Sequence, residues 1–305
     1  MKNKIVITTS SFAEYDKQPL NILKETYDQV ELNPYGRKLT KDELIDFAQD
    51  ATGIIAGTEN YSGDVLEKLP KLKVLSRCGT GMDNVDISAA NEKGIIVCNT
   101  PDAPTLPVAE LTIGLMLDLL RNISISNSNV KNSNWLKHMG RLLQGKRVGI
   151  IGYGRIGKKV AELLLAFEAE VAYYDLFTHN KAPISYMSLD ELLEWADIIT
   201  LHCNASKTGE YLLGEKELKK MKRDAMIINT ARGELIDEEA LYATLINNQY
   251  FSAALDVFAE EPYNGKLIEL PNIIVTPHIG SYARESRVAM EIEAVHNLCK
   301  GLINL

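Results

Sequence analysis

The chain has 305 residues, 46% of them hydrophobic, and its 33 Lys and Arg against 41 Asp and Glu give a formal net charge of -8. That length suits two ordinary domains with real cores, and the scattered basic residues exclude a nucleic-acid backbone as partner. Cys78, Cys98, Cys203 and Cys299 lie far apart, without a CxxC pair or histidines at metal spacing, so neither a disulfide framework nor a metal site is expected.

The first residues run directly into Ile5-Val6-Ile7, too short an apolar stretch for a signal peptide. The longest apolar run, residues 108–120, is broken by Glu110 and Asp118 and falls short of the ~20 residues that cross a bilayer. A cytoplasmic protein with no membrane partner is expected. Short β-branched runs alternate with longer stretches of helical period, the pattern of βαβ units and a parallel sheet, so the fold class is α/β. In the first third, strands are expected at 4–8, 53–57, 74–78 and 95–98, and Thr40-Lys-Asp-Glu43 forms a capping box opening a helix over Leu44, Ile45 and Phe47.

Residues 99–107, with Pro101, Pro104 and Pro107, fit a loop or hinge and mark a domain boundary. Residues 108–121 are apolar nearly all round, which predicts a helix buried in the second domain or in a subunit interface. Six further strands follow at 147–151, 171–174, 198–201, 226–229, 253–257 and 273–276, enough for a doubly wound nucleotide-binding sheet. In the tail, 284–305, Val288, Ile292, Val295 and Leu298 recur at helical spacing; periodicity alone leaves open which domain that helix covers.

Gly152-Tyr-Gly154-Arg-Ile-Gly157 directly follows the strand at 147–151 and opens a helix. Gly152 permits a tight turn, Gly154 lets backbone approach a pyrophosphate, and Gly157 allows close packing of helix on strand, with the helix N-terminus attracting phosphate. The next strand ends on Asp175, roughly twenty residues on, where a ribose-binding acid belongs. A carboxylate there accepts from both ribose hydroxyls and repels a 2′-phosphate, which argues for NAD over NADP.

Three later segments each place a functional side chain just beyond a strand: Arg232 in Asn229-Thr-Ala-Arg-Gly, Glu261 in Asp256-Val-Phe-Ala-Glu-Glu-Pro, and His278 in Thr276-Pro-His-Ile-Gly280. Strand carboxyl ends border the ligand crevice of an open α/β sheet, so these loops should converge on the cofactor. Hydride transfer between nicotinamide and a 2-hydroxy acid needs a cation for the carboxylate, a group to move the hydroxyl proton and a partner that tunes it. Arg232 offers a planar fork, His278 titrates nearest neutrality, and Glu261 would favour the protonated imidazole. Singly, each has a plainer reading: a surface ion pair, one of an acidic pair with Glu260, a turn residue after Pro277.

These stretches, with Ser76-Arg-Cys-Gly-Thr-Gly-Met-Asp-Asn-Val-Asp86, Asn99-Thr-Pro-Asp-Ala-Pro104 and Val108-Ala-Glu110, cover most of the chain in one order. Together they resemble the D-isomer-specific 2-hydroxyacid dehydrogenases, particularly those similar to phosphoglycerate dehydrogenase. The resemblance implies two doubly wound domains: a flavodoxin-like substrate domain over 1–98 completed by 284–305, and a Rossmann NAD-binding domain over 99–283 inserted into it, with the active site in the cleft. It further implies that Arg155 and Ile156 line the pyrophosphate, that Thr230, Ala231, Arg232 and Asp256 flank the nicotinamide beside the Gly280 turn, and that the amides of Gly79, Thr80 and Gly81 help bind the substrate carboxylate. Homodimers built on the helix beginning near Val108 are also implied.

Two departures bear on substrate. The family's His-x-Pro-Leu-Thr-Pro-Glu-Thr segment is replaced by His202-Cys-Asn-Ala-Ser-Lys-Thr-Gly209, with Ser206 as one candidate to keep a hydroxyl contact. Arg77 matches an arginine near the substrate phosphate of phosphoglycerate-oxidising relatives, whereas Gly57 stands where they tend to carry another. The expected activity is therefore NAD-dependent oxidoreduction of a small D-2-hydroxy acid, with 3-phosphoglycerate as one substrate left open and glyoxylate, hydroxypyruvate or another 2-keto acid as the alternative. A non-enzymatic module that senses NADH and binds peptide, as corepressors of this fold do, is the rival from another class.

Overall fold

The computed structural model describes residues 3–179, 182–206 and 208–303, so Lys207 of the departing segment and the last two tail residues lie outside it. The chain divides into two units, Met1–Pro104 with Tyr282–Leu305, and Thr105–Ser281. Among the described residues, no helix is long and apolar enough to cross a membrane.

The first unit holds β1 (Lys4–Ile7), β2 (Gln29–Leu32), β3 (Gly53–Ala56), β4 (Val74–Arg77) and β5 (Ile96–Cys98), parallel in the order β2-β1-β3-β4-β5. That is the flavodoxin-like winding. Four of these strands are legible as apolar runs, but β2, with sequence QVEL, is not. It pairs only with β1 and is mostly exposed, so nothing selects for an apolar run there. The helix Lys41–Ala48 opens on the Thr40–Glu43 capping box, with both reciprocal bonds formed.

The tail forms the helix Arg284–Ile303 and packs on β3, β4 and the helix Gln18–Thr26. Small residues let it come close: a Cβ at Gly301 would sit 2.9 Å from the Val74 methyls, and one at Gly53 would sit 3.0 Å from Leu298 Cδ1. Ser76 Oγ donates to Ala294 O at 2.8 Å. Arg287 Nε donates to Glu291 Oε1 at 2.9 Å, and Glu291 Oε2 accepts the N–H of Ala13 at 2.9 Å, all of it buried.

Residues 99–104 also belong to this unit. Gly79 N–H donates to Thr100 Oγ1 at 2.7 Å, Thr100 N–H returns to Gly79 O at 3.1 Å, and Ser286 Oγ donates to Ala103 O at 2.8 Å. The unit division thus falls at Pro104, inside the boundary segment expected at 99–107 and past the substrate-domain end expected at 98. The helix then starts at Thr105 and takes Pro107 into its first turn, where a missing N–H costs nothing.

The second unit contains β6 (Arg147–Ile151), β7 (Glu170–Tyr174), β8 (Ser185–Tyr186), β9 (Ile198–Leu201), β10 (Met226–Asn229), β11 (Ser252–Leu255) and β12 (Ile273–Val275). The order β12-β11-β10-β9-β6-β7-β8 reverses direction between β6 and β9, which is the switch point of a dinucleotide-binding sheet. Six strands match expected segments, and the seventh, β8, is a two-residue edge strand too short to leave a pattern. The helix Thr105–Arg121 packs on the helix Arg155–Ala166 and on β10 and β11 through Val108, Ala109, Ile113, Met116 and Leu120.

Removing one partner of the Arg287–Glu291 pair leaves a buried charge. Glu291→Ala should cost about 3 kcal/mol in urea unfolding, and the joint replacement Arg287→Met with Glu291→Leu should recover most of that loss.

Candidate active site

The turn after β6 explains its three glycines. Gly152 has φ +94°, open to glycine and strained for other residues, and a Cβ there would lie 2.6 Å from the His202 carbonyl. At Gly157 a Cβ would overlap the carbonyl oxygen of Gly152, so any side chain forces the helix off the strand. Gly154 is the N-cap of the helix Arg155–Ala166, and nothing lies within 4 Å of where its Cβ would be. That open ground at a helix N-terminus is a cradle for a pyrophosphate. Arg155 is exposed and Ile156 half-buried at the same end.

Asp175 follows β7 directly. Its Oδ2 accepts the N–H of Tyr153 at 2.7 Å and its Oδ1 that of Phe177 at 3.2 Å, while the side chain stays about a fifth exposed. The middle residue of the first Gly-Tyr-Gly is thus tied to the acid. Tyr153 stacks on Tyr173 with centroids 4.3 Å apart, and His179 Nε2 lies 3.9 Å from Asp175 Oδ2. Sequence reasoning passed over Tyr153 and His179; an aromatic inside the glycine loop was the signal available.

In the turn after β10, Asn229 Nδ2 donates to Arg232 O at 2.8 Å and Asn229 Oδ1 accepts from Ala231 N–H at 3.0 Å. Thr230 is buried, its hydroxyl 2.9 Å from that of Thr112, and Arg232 Nη1 donates to Ala231 O at 2.6 Å. A Cβ at Gly233 would overlap the backbone of Phe258 and Ala259, so only glycine lets this turn lie against the one after β11.

Asp256, at the end of β11, is fully buried. Its Oδ1 accepts from Thr276 Oγ1 at 2.5 Å and Ile279 N–H at 2.8 Å, and its Oδ2 from Gly280 N–H at 2.8 Å. The carboxylate is therefore engaged in holding the loop that carries His278, a task the sequence did not assign to it. His278 itself sits in the left-handed region with φ +53°.

Glu261 Oε1 accepts the N–H of Phe258 at 3.1 Å, and Oε2 lies 2.8 Å from His278 Nδ1. Partial burial pushes the Glu261 carboxyl up, but the hydrogen bond and charge of His278 outweigh it, and the net displacement is downward. The Glu261 hydrogen bond raises His278 above its ordinary 6.5 against the opposing effect of burial. An ionised Glu261 only accepts, so Nδ1 carries the proton between them. Beside Gly152, the half-buried His202 is pushed down to about 3 by desolvation and stays neutral, its Nε2 2.9 Å from Thr200 Oγ1. Ser206 Oγ lies 2.6 Å from Thr208 Oγ1.

Arg232, Glu261, His278, Thr230, Ala231, Asp256, Gly280 and the glycine loop all belong to the unit Thr105–Ser281; Arg77, Gly79, Thr80 and Gly81 belong to the other. There, the half-buried Arg77 guanidinium covers Gly79, whose φ is +144°, and donates to Cys78 O; burial lowers its proton affinity. Thr80 is exposed, with its carbonyl accepting from Asn99 Nδ2 at 2.8 Å, and Gly81 is half-buried. One residue the sequence did not mark is Glu59, only 2% exposed, whose Oε2 accepts from Thr8 Oγ1 at 2.8 Å and would lie 2.7 Å from a Cβ on Gly57. A side chain at 57 would have to displace that carboxylate.

Gly157→Ala should lower Tm and weaken NADH binding at least about tenfold in a fluorescence titration, because the helix N-terminus and Gly152 cannot both keep their places.

Residues 113–280 match the sequence profile of the NAD binding domain of the D-isomer specific 2-hydroxyacid dehydrogenases. Hydroxypyruvate reductase of Thermotoga maritima is 36% identical over 94% of this chain and 95% of its own length. D-3-phosphoglycerate dehydrogenase of Methanocaldococcus jannaschii is 42% identical over 82% of this chain, which spans 50% of that longer protein. Among solved structures, a protein of Thermus thermophilus superposes with a TM-score of 0.91 at 34% identity, covering 99% of this chain and 97% of that one. On its sheet orders, its glycine loop and these matches, the chain belongs to the D-isomer specific 2-hydroxyacid dehydrogenases.

Proposed function

We propose that the protein interconverts a small D-2-hydroxy acid and its 2-keto acid with NAD. The observation that carries this reading is the 2.8 Å bond between ionised Glu261 and His278 Nδ1, in the unit that also holds the glycine loop. The open ground at Gly154, the helix N-terminus behind it and the part-exposed Asp175 fit a dinucleotide, with Asp175 at the adenosine ribose and Thr230 to Arg232 toward the nicotinamide. When bound, NAD supplies the hydride acceptor or donor.

The chain's own residues do the rest. Arg232 holds the substrate carboxylate or polarises its carbonyl. With Nδ1 engaged by Glu261, His278 Nε2 gives its proton to the keto oxygen during reduction and takes it back from the hydroxyl during oxidation. Asp256 acts through the loop it anchors. Arg77 and the Gly79–Gly81 amides, in the first unit, are the groups we read as substrate-binding.

A small unphosphorylated keto acid, such as hydroxypyruvate or glyoxylate, is the substrate class we favour over a phosphorylated one. Support comes from Gly57, which supplies no second cation, and from Glu59, whose buried carboxylate crowds that position and acts electrostatically on Arg77. We also read the protein as a cytoplasmic homodimer. Ile123, Ile125 and Val130 on the helix Ile123–Lys131, then Trp135, Leu136 and Met139, are large apolar side chains left in solvent, and a second copy would cover them.

The deciding assay is NADH consumption with hydroxypyruvate, glyoxylate and 3-phosphohydroxypyruvate. Turnover on the first two above the third fits the proposal; NADH binding without turnover on any acid would instead favour an NADH-sensing module. His278→Ala should lower kcat by about three orders of magnitude while leaving NADH affinity within about twofold. Because the reducing form is the protonated imidazole and Glu261 raises His278, reductive kcat/KM should hold through the ordinary histidine value and fall only at higher pH. In Glu261→Gln that fall should move to lower pH, and an unmoved profile would remove Glu261 from the proton's path.

A further inference from the structure

The hydroxyls of Thr112 and Thr230 meet at 2.9 Å, a distance that leaves open which of them donates. A second bond decides it. Thr112 stands in the helix Thr105–Arg121, and its Oγ1 donates to Val108 O, four residues back, at 2.7 Å. A threonine hydroxyl has one proton, so the proton between the two side chains belongs to Thr230. Turned the other way, Thr112 Oγ1 and Val108 O would face each other as two acceptors 2.7 Å apart. Thr230 Oγ1 is therefore left with lone pairs only and accepts from whatever else it meets. Thr112 has no exposed surface, whereas Thr230, just beyond β10, keeps 7% of its own. The same helix start reaches the Asp256 loop, since a Cβ at Gly280 would lie 3.2 Å from Val108 Cγ2 and 3.1 Å from Asp256 Oδ2.

We propose that Thr112 is a positioning residue for the cofactor: by accepting the Thr230 proton it makes Thr230 Oγ1 a pure acceptor, which selects the N–H₂ end of the nicotinamide carboxamide. The inference rests on the reading that Thr230 flanks the nicotinamide. A carboxamide has a donor end and an acceptor end of nearly equal size, and a hydroxyl free to rotate would pair with either. One whose proton is held elsewhere pairs with the N–H₂ end alone. The carbonyl end would set two acceptors against each other in a buried place, where an unmade hydrogen bond costs most. Thr112 never touches the cofactor in this scheme; it acts only through the direction of one hydroxyl proton.

The test is calorimetric titration of the full chain with NADH and with the reduced dinucleotide of 3-acetylpyridine, whose methyl ketone keeps the carbonyl and replaces N–H₂ by CH₃. The quantity read is the ratio of dissociation constants, analogue over NADH. Thr112→Val keeps the side-chain shape and frees the Thr230 proton to meet the carbonyl of either cofactor, so the ratio should be about fivefold lower than in wild type. Thr112→Ser can make the same bond to Val108 O and should keep the wild-type ratio. If the valine variant does not fold, Thr112→Ala is read in its place. A purely structural role would weaken both cofactors alike and leave the ratio unmoved, and that result would overturn the proposal, as would a serine variant that behaves like valine. Thr230→Val tests the premise separately. An unchanged ratio there would take Thr230 away from the carboxamide, and the assignment of Thr112 would fall with it; a ratio lost in Thr230→Val but kept in Thr112→Val would leave Thr230 in place and remove Thr112 alone.

Discussion

A carboxylate taken out of water is costly unless donors surround it, and the proposed acid–base site is organised around one such group. Asp256 has no exposed surface, and its donors are the Thr276 hydroxyl and the N–H groups of Ile279 and Gly280. All three belong to the loop that carries His278. Displacing that loop would leave a buried charge unpaired, so the cost of desolvating Asp256 becomes a constraint on where His278 stands. The backbone repeats the arrangement: Asp256 N–H donates to Asn229 O, and His278 N–H to Asp256 O, joining the turns after β10, β11 and β12 in series.

Parallel register explains why loops far apart in the chain come together. Asn229 lies beside Leu255, and Leu255 beside Val275, so the three following turns leave the sheet at one edge. Gly233 then lets the first turn touch the second, and Glu261 returns from the second to the third. His278 accepts a left-handed backbone, a conformation costing on the order of 1–3 kcal/mol, that persists because Asp256 fixes it from both sides.

The first unit uses buried charge differently. Arg287 and Glu291 pair inside the last helix and hold the Ala13 turn, while Glu59 occupies the space that a side chain at Gly57 would need. Each of these charges is satisfied within the unit. Their effect is to fix the turn at Ala13 and the segments around Thr8 and Gly57.

Sequence by itself determined the fold class, ten of the strand positions in outline, the glycine loop with Asp175, and the three loops bearing Arg232, Glu261 and His278. These were legible because central strands need continuous apolar runs and tight turns need glycine, constraints written residue by residue. The edge strands β2 and β8 were not legible, since a strand with one neighbour carries no such demand. Nor was the placement of the tail, because an amphipathic helix does not name the surface it covers. Only tertiary structure decided that Asp256 holds the His278 loop, that Glu59 fills the space beside Gly57, and that Tyr153 and His179 gather around Asp175. Those contacts join residues distant in sequence through single hydrogen bonds and ring edges, and a local pattern contains no term for a partner that folding has yet to bring near.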